Sequence, residues 1–377
     1  MKKFTIKLLA FITTFLVFYG FPAYYLTLSG EAFFNIDTCV EHIVKNDKQL
    51  LIGFSLDGSL YRPLKAKTIH SIDKQDVIAL GSSRVLQFRQ EMFNSKFYNA
   101  GSTVRSIRDF QLFLSLLPPK KMPDTLIIGL DQWMFNEAFD DLKSSFTRQD
   151  YQNNTTESLG SFTKKSWQFY KEYFNGRINI DRVYSGVRKP VGLNAFLKSS
   201  GFRNDGSFLY GLQIEKLSKG DPSANDFEFS NTFERIKEGN RRFQPCQEVN
   251  VKALKSLETF LAYCKSKNIK VVSFLPPLAN AVFDEMQKSD RYIHLNLLPK
   301  VLTQIFDKYD YEFYNYNNLH LSGSSDSEAI DGFHGSEKTY LRIIIDMLKN
   351  GSVLNKHCNL LELESVLKRS NNNFMVY

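Results

Sequence analysis

Short apolar runs alternate with stretches of helical periodicity over most of the chain beyond residue 76. The runs predict strands over Val77–Leu80, Lys96–Asn99, Thr125–Leu130, Ile269–Leu275 and Tyr311–Tyr314. The periodic stretches predict helices over Arg105–Leu117, Val251–Lys267 and Glu337–Lys349, the last capped by Ser336. This alternation predicts an α/β fold in which helices cover both faces of a parallel sheet.

The alternation breaks down over residues 137–247, which are polar and rich in aromatic side chains. A segment of this length is too long for a loop inside a compact domain. We therefore expect an insertion between the third and fourth strands that forms a lid or substrate-binding subdomain. The predicted organisation is an anchor over 1–30, a stalk over 31–75, an α/β domain over 76–350 that contains the insertion, and a tail over 351–377.

The N-terminal segment has the pattern of a membrane anchor. Lys2, Lys3 and Lys7 precede an uncharged apolar span, Leu8 to Leu26, which as a helix comes close to the roughly 30 Å hydrocarbon core of a bilayer. A cleaved signal peptide is the alternative, but the end of the span lacks a good small-x-small cleavage site. Lysines before the span and acidic residues after it predict a cytoplasmic N-terminus and an extracytoplasmic remainder.

Composition narrows the possible partners. Of the 377 residues 43% are hydrophobic, and the net charge of +8 is spread along the chain without a basic run. This distribution shows no nucleic-acid signature and is compatible with anionic lipid or an acidic envelope polymer. The four cysteines are too far apart for a metal knuckle, and the phase of Cys264 on a predicted helix indicates a buried thiol. We find no motif for a metal or a nucleotide cofactor.

Candidate chemistry lies at the end of the first predicted strand. Apolar residues run directly into Gly81, Ser82 and Ser83, so a tight turn would lift a serine hydroxyl off the sheet edge where α/β proteins bind ligands. Such a serine needs a base and an acid that orients the base. Asp331 and His334, three residues apart before the last predicted helix, are suited to these two roles. The order of these residues predicts a serine hydrolase or acyltransferase.

These residues resemble the SGNH or GDSL-type hydrolases, which have a flavodoxin-like three-layer α/β fold. The first block of that family resembles Leu80-Gly81-Ser82-Ser83, with Ser83 at the nucleophile position and its N–H in the oxyanion hole. The second block, whose glycine donates a backbone N–H to the oxyanion, is matched by Gly101. The fourth block, Asp-x-x-His, is matched by Asp331 and His334. The resemblance covers residues 76 to 136 and 250 to 350.

The third block departs from the family pattern. Where the family has an asparagine that donates to the oxyanion, this chain has Asp131. An ionised carboxylate cannot donate a hydrogen bond and would repel a developing oxyanion. Either Asp131 is protonated, or Arg84 or another cation holds it, or Gln132 or Asn136 supplies the donor. Loss of one donor costs about 10²- to 10³-fold in rate, which weakens the chemistry without excluding it.

The anchor, the serine block and the long insertion resemble envelope proteins that work beside membrane-bound O-acyltransferases, such as the D-alanine transfer protein of teichoic acid modification. The resemblance implies an extracytoplasmic esterase or O-acyltransferase that acts on acyl esters of an envelope glycan or glycolipid. The alternative is a non-catalytic glycan-binding module or partner of an integral-membrane acyltransferase, which Asp131 and the insertion favour. Hydrolysis and transfer share the same early steps, so both remain open.

Overall fold

The computed structural model describes residues 2–31, 36–45, 50–55, 58–140, 142–143, 145–152, 159–176, 178, 180 and 189–377. The chain forms two compact units. The smaller unit comprises Met1–Leu64, Asn153–Asn204 and Phe208–Leu212. The larger unit comprises Lys65–Gln152, Asp205–Ser207 and Gln213–Tyr377.

A parallel five-stranded sheet forms the centre of the larger unit, with its strands in the order β3-β2-β4-β8-β9. The strands are β2 Val77–Gly81, β3 Phe97–Gly101, β4 Thr125–Gly129, β8 Lys270–Leu275 and β9 Glu312–Asn315. Numbered by their sequence order within this sheet, the strands run 2-1-3-4-5. The order reverses at β2, so the carboxyl end of β2 lies at the switch point where doubly wound sheets bind ligands.

Helices cover both faces of this sheet. Successive residues of a strand point to opposite faces, so each strand contributes apolar side chains to both helix layers. Ile78 and Leu80 pack on one face with helices α4 and α9, and Val77 and Ala79 pack on the other with α12. The helices of the larger unit beyond residue 100 are α4 Ile107–Leu116, α8 Ser230–Glu238, α9 Val251–Ser266, α10 Asn280–Gln287, α11 His294–Lys308, α12 Glu337–Lys349 and α13 Leu360–Arg369.

The predicted α/β class is confirmed, with strands and helices at the predicted places. Each of the five expected strands is present within two residues of its predicted ends, and all belong to the central sheet. The Ser336 hydroxyl accepts the N–H of Thr339, which caps α12 as expected. Cys264 is buried in the core, in agreement with its predicted place on the inner face of α9.

The smaller unit contains the N-terminal helix α1 Lys2–Leu28, which is long and apolar enough to cross a membrane. The C-terminal half of α1 packs on helix α5 through aromatic rings, and Leu26 is fully buried beside Phe169 and Leu193. The other elements assigned to this unit are α2 Ile36–Val44, β1 Leu50–Ile52, α5 Leu159–Phe174, β5 Lys189–Val191, α6 Leu193–Lys198, β6 Ser200–Phe202 and β7 Phe208–Tyr210. The strands form a mixed sheet in the order β5-β1-β6-β7. Helices α3 Tyr61–Ser71 and α7 Gly211–Ser218 each have residues in both units.

The boundaries of the compact units differ from the predicted ones. The segment 137–247 does not form one subdomain, because Asn153–Asn204 cluster with residues of the expected stalk while the segment's beginning and end belong to the larger unit. Strand β1 of the predicted stalk pairs with β5 and β6 of this segment, and this pairing explains why part of the segment clusters with the stalk. The predicted tail beyond residue 350 packs on the larger unit, where Leu354 and Leu363 are buried against α12.

Residues Asp205–Ser207 lie against β3, which is one of the two outer strands of the central sheet. The Asn99 N–H of β3 donates to the Asp205 carbonyl oxygen at 2.7 Å. The buried Lys65 ammonium group donates to the carbonyl oxygens of Asn99 (2.6 Å) and Gly206. Burial lowers the pKa of Lys65 to about 7, although the charge of Asp205 opposes this shift.

Candidate active site

Ser83 occupies the turn that follows β2. The strand ends at Gly81, and a one-turn helix over Ser83–Val85 begins immediately after Ser82. Val85 packs so closely on Gly81 that a Cβ there would lie 2.8 Å from its Cγ1 atom, so the turn needs a glycine. The Ser82 hydroxyl accepts the N–H of Arg84 at 3.2 Å and caps this helix. The turn therefore holds Ser83 at the carboxyl edge of the sheet, as predicted.

The structure brings Ser83, His334 and Asp331 into one hydrogen-bonded chain. Ser83 Oγ lies 2.8 Å from His334 Nε2, and His334 Nδ1 lies 2.7 Å from Asp331 Oδ2. A proton on Nδ1 that faces the carboxylate leaves Nε2 free to accept the serine proton. Burial alone would raise the pKa of Asp331, but His334 and backbone N–H groups bring it below its ordinary value. The Asp331 carboxyl group is therefore held in its ionised form.

Local contacts hold the turn that carries Asp331 and His334. Asp331 Oδ1 accepts the backbone N–H groups of Phe333 and His334, each at 2.9 Å. The Gly332 N–H donates to Asp226 at 2.9 Å. A Cβ on Gly332 would lie 2.5 Å from the Thr232 hydroxyl oxygen of α8, so this position accepts only glycine without movement. Helix α8, which sequence reasoning did not predict, thus packs against the turn that carries Asp331 and His334.

Two of the residues predicted to line the oxyanion hole do not offer a free hydrogen-bond donor. The Gly101 N–H donates to the side-chain oxygen of Asn99 at 2.8 Å. Asp131 is fully buried, and a carboxylate has no proton to donate. The Ser83 N–H, by contrast, has no acceptor among the residues that the structure describes. Of the donors predicted from the sequence, the Ser83 N–H is therefore the one free to face an oxyanion.

Asp131 is instead the buried counter-charge of Arg84. Their side chains are 1% and 0% exposed, and Arg84 Nη1 lies 3.5 Å from Asp131 Oδ1. Arg84 also donates to Gln132 at 2.5 Å and to the Pro276 carbonyl oxygen at 2.6 Å, and it stacks on Trp133. Burial raises the pKa of Asp131, and Arg84 offsets only part of this rise. Of the predicted options, the structure shows the one in which Arg84 holds Asp131.

The two alternative donors near this strand end are engaged elsewhere. The Gln132 amide donates to the Pro276 carbonyl oxygen at 2.8 Å. The Asn136 amide donates to the carbonyl oxygen of Gln244 at 2.7 Å. Both side chains are buried, so neither is open to a ligand at the serine.

Sequence reasoning missed an aromatic and cationic wall beside the serine. The guanidinium of Arg242 lies 5.2 Å from the Trp133 ring centre and 5.5 Å from that of Phe333. Arg235 of α8 lies over the same phenylalanine at 5.6 Å. Trp133 after β4 and Phe333 beside the histidine could have been noticed in the sequence. The arginines could not, because the fold alone brings them here from the insertion.

Comparisons with known protein families and with curated proteins found no match for this chain. Among the described residues, no group of three or more His, Cys, Asp or Glu side chains is arranged to hold a metal ion. The four cysteines are unpaired.

Proposed function

We propose that this chain is a membrane-tethered serine esterase or O-acyltransferase that acts on acyl esters of an envelope glycan or glycolipid. One observation carries the proposal: Ser83, His334 and Asp331 are hydrogen-bonded in series at 2.8 Å and 2.7 Å. These residues lie 251 positions apart in sequence at their extremes, and their convergence at the sheet switch point supports a catalytic role. The sheet order 2-1-3-4-5 supports a flavodoxin-like, SGNH-type fold.

The arrangement supports acyl transfer in two steps. Ser83 Oγ attacks the acyl carbonyl carbon while His334 Nε2 takes the hydroxyl proton, and Asp331 stabilises the resulting imidazolium. The Ser83 N–H stabilises the oxyanion, and His334 returns the proton to the leaving alcohol as the ester bond breaks. Water or a sugar hydroxyl then attacks the acyl-enzyme by the same steps in reverse. The acceptor decides between hydrolysis and transfer.

The N-terminal helix supports the membrane location. Leu26 is buried between helices of the smaller unit, so cleavage after it would remove part of that core. This packing favours a retained anchor over a cleaved signal peptide. The lysines that precede the span favour a cytoplasmic N-terminus, which puts Ser83 outside the membrane beside envelope glycans. An integral-membrane acyltransferase is the partner that we propose for the transfer reaction.

A second candidate function is a non-catalytic partner or glycan-binding module of such an acyltransferase. The observation that favours it is the engagement of the Gly101 N–H and of the Gln132 and Asn136 amides within the protein. The ordered hydrogen bonds of Ser83 favour catalysis, because a module without chemistry does not need an oriented base.

A serine-directed probe tests the two functions. The full-length chain in neutral detergent is treated with a fluorophosphonate and, separately, with a small acetyl ester. We expect labelling and turnover that Ser83→Ala and His334→Ala abolish, whereas Ser115→Ala, which changes an exposed serine of α4, keeps both. If the wild type neither labels nor turns over ester, the non-catalytic function is favoured.

A further inference from the structure

Two arginines beside the serine are not in direct contact with a carboxylate in the part of the chain that the structure describes. Arg235 and Arg242 form no ion pair there, and their guanidinium groups donate no hydrogen bond to a described residue. The Nε atom of Arg235 is buried without an acceptor. A buried N–H donor without an acceptor is costly, so a protein keeps one where a ligand supplies the acceptor or where strain is tolerated.

The two carboxylates whose charges act on Arg242 are each engaged with another group. Asp131 pairs with Arg84, and Asp331 is hydrogen-bonded to His334. Burial lowers the pKa of Arg242, and Arg235 and Arg105 lower it further, while the two aspartates oppose the shift. The two unpaired guanidinium groups thus add two positive charges to a half-buried wall.

Backbone contacts fix the position of Arg242 in this wall. Arg242 has a left-handed backbone at φ 87°, a conformation that is strained for a residue with a side chain. Its N–H donates to the Gln244 side chain at 2.9 Å, and the Tyr292 hydroxyl donates to the Phe243 carbonyl oxygen at 2.9 Å. Backbone strain that the surroundings maintain is typical of ligand-binding positions.

The wall lies next to the proposed general base. The ring of Phe333, on which both arginines rest, has its centre 4.5 Å from that of His334. An anion held by the guanidinium groups would therefore lie close to an ester positioned over Ser83. Arg84 cannot serve such an anion, because it is fully buried and already bonded to three groups.

We propose that Arg235 and Arg242 form a subsite for an anionic oxygen group, a carboxylate or a phosphate, carried by the ester substrate. This inference rests on the proposed function and deepens it: the substrate is an acylated acidic sugar or an acylated polyol phosphate. Guanidinium groups bind both kinds of anion through paired hydrogen bonds.

Binding without turnover gives the first test. The chain has two tryptophans, so Trp167→Phe leaves Trp133, which contacts Arg242, as the fluorescent reporter. The full-length Trp167→Phe chain in neutral detergent is titrated with methyl glucuronoside, glycerol phosphate and the neutral methyl glucoside. We expect a saturable change with at least one anion and a Kd for it at least tenfold below that of the glucoside. The anion that binds more tightly identifies the source of the charge.

Variants assign the binding to the two arginines. We expect Arg235→Gln with Arg242→Gln to raise the Kd of the anion roughly 10- to 100-fold, and the corresponding lysine pair to raise it less. Arg369→Gln, which changes an exposed arginine of α13, is the matched control and leaves the Kd unchanged. No saturable response to either anion, or an equal Kd in the glutamine pair, would overturn the subsite.

Turnover gives the second test and separates the two proposals. The ratio of kcat/KM for acetylated methyl glucuronoside or acetylated glycerol phosphate to that for acetylated methyl glucoside is compared between wild type and the glutamine pair. We expect the ratio for the preferred anion to fall roughly 10- to 100-fold. If no ester is turned over and Ser83 is not labelled, the proposed function fails, while the fluorescence titration still decides on the subsite. An unchanged ratio in an active enzyme overturns the subsite alone.

Discussion

Replacement of Arg84 by methionine tests how much the buried pair of Arg84 and Asp131 contributes to the stability of the protein. Methionine keeps much of the side-chain volume but leaves the carboxylate of Asp131 without its cation. Asp131 Oδ2 has no hydrogen-bond partner among the described residues, and the Ser82 hydroxyl and Arg242 favour the ionised carboxylate less than Arg84 does. We therefore expect a large loss of stability that depends on the ionisation of Asp131.

The magnitude follows from the distances. Two unit charges 3.5 Å apart attract by about 5 kcal/mol at an effective dielectric constant of about 20. Removal of one partner of a buried pair costs about 3–5 kcal/mol, because the remaining charge is left uncompensated. We expect this loss for Arg84→Met at pH 7. The addition of Asp131→Asn should recover about 2 kcal/mol, since it removes the buried carboxylate.

The dependence on pH has a definite sign. Burial raises the pKa of Asp131 above its ordinary value of 3.8, so the folded state binds its proton more tightly than the unfolded state. The pKa should rise further without Arg84. The loss of stability caused by Arg84→Met should therefore grow as the pH rises above the raised pKa that Asp131 has in the folded wild type, and it should be smaller and constant below that pKa.

Urea unfolding followed by Trp133 fluorescence, in a Trp167→Phe background, measures these free energies in the larger unit. Lys74→Met is the matched control, because it breaks an exposed pair with Asp124 and should change stability little. A cost below about 1 kcal/mol for Arg84→Met at pH 7 would refute the reasoning, as would a double variant no more stable than the single one.

Two further predictions concern the turn of the base and the buried lysine. Gly332→Ala would place a Cβ 2.5 Å from the Thr232 hydroxyl oxygen, so we expect at least tenfold slower fluorophosphonate labelling, whereas Gly58→Ala, with no atom nearer than 4.0 Å, should label normally. Equal labelling of both variants would contradict the packing. For Lys65, whose pKa falls from 10.5 to about 7, stability relative to Lys65→Met should rise with pH between these values, by at most about 1.4 kcal/mol per unit. Unfolding curves at pH 7, 8 and 9 measure the rise, and a flat difference would contradict it.

The sequence predicted the central sheet well because its strands are buried on both faces. Such strands appear as continuous apolar runs, as in Val77–Gly81 and Thr125–Gly129, and no tertiary information is needed to find them. The meeting of Ser83 with His334 could also be predicted, since parallel strands end at one edge of the sheet.

The rest depends on contacts between distant segments. The Gly101 N–H donates to the Asn99 side chain within the last residues of β3, a contact that the residue types alone do not reveal. The division of residues 137–247 follows from the pairing of β1 with β5 and β6, three short strands without a pattern of their own. Arg235 reaches Phe333 from α8, and Arg242 reaches it from the segment after α8, an approach that no periodicity reveals.

The cover of β3 by Asp205–Ser207 affects how this protein can be shortened. An outer strand with free N–H and carbonyl groups is a template for pairing with another chain, and it promotes aggregation. The residues that occupy this position come from the segment that would be deleted to obtain a minimal α/β domain. A version that lacks residues 137–247 should therefore self-associate through its exposed edge, and a minimal version that stays monomeric must keep Asp205–Ser207 or gain a charged or proline residue on β3.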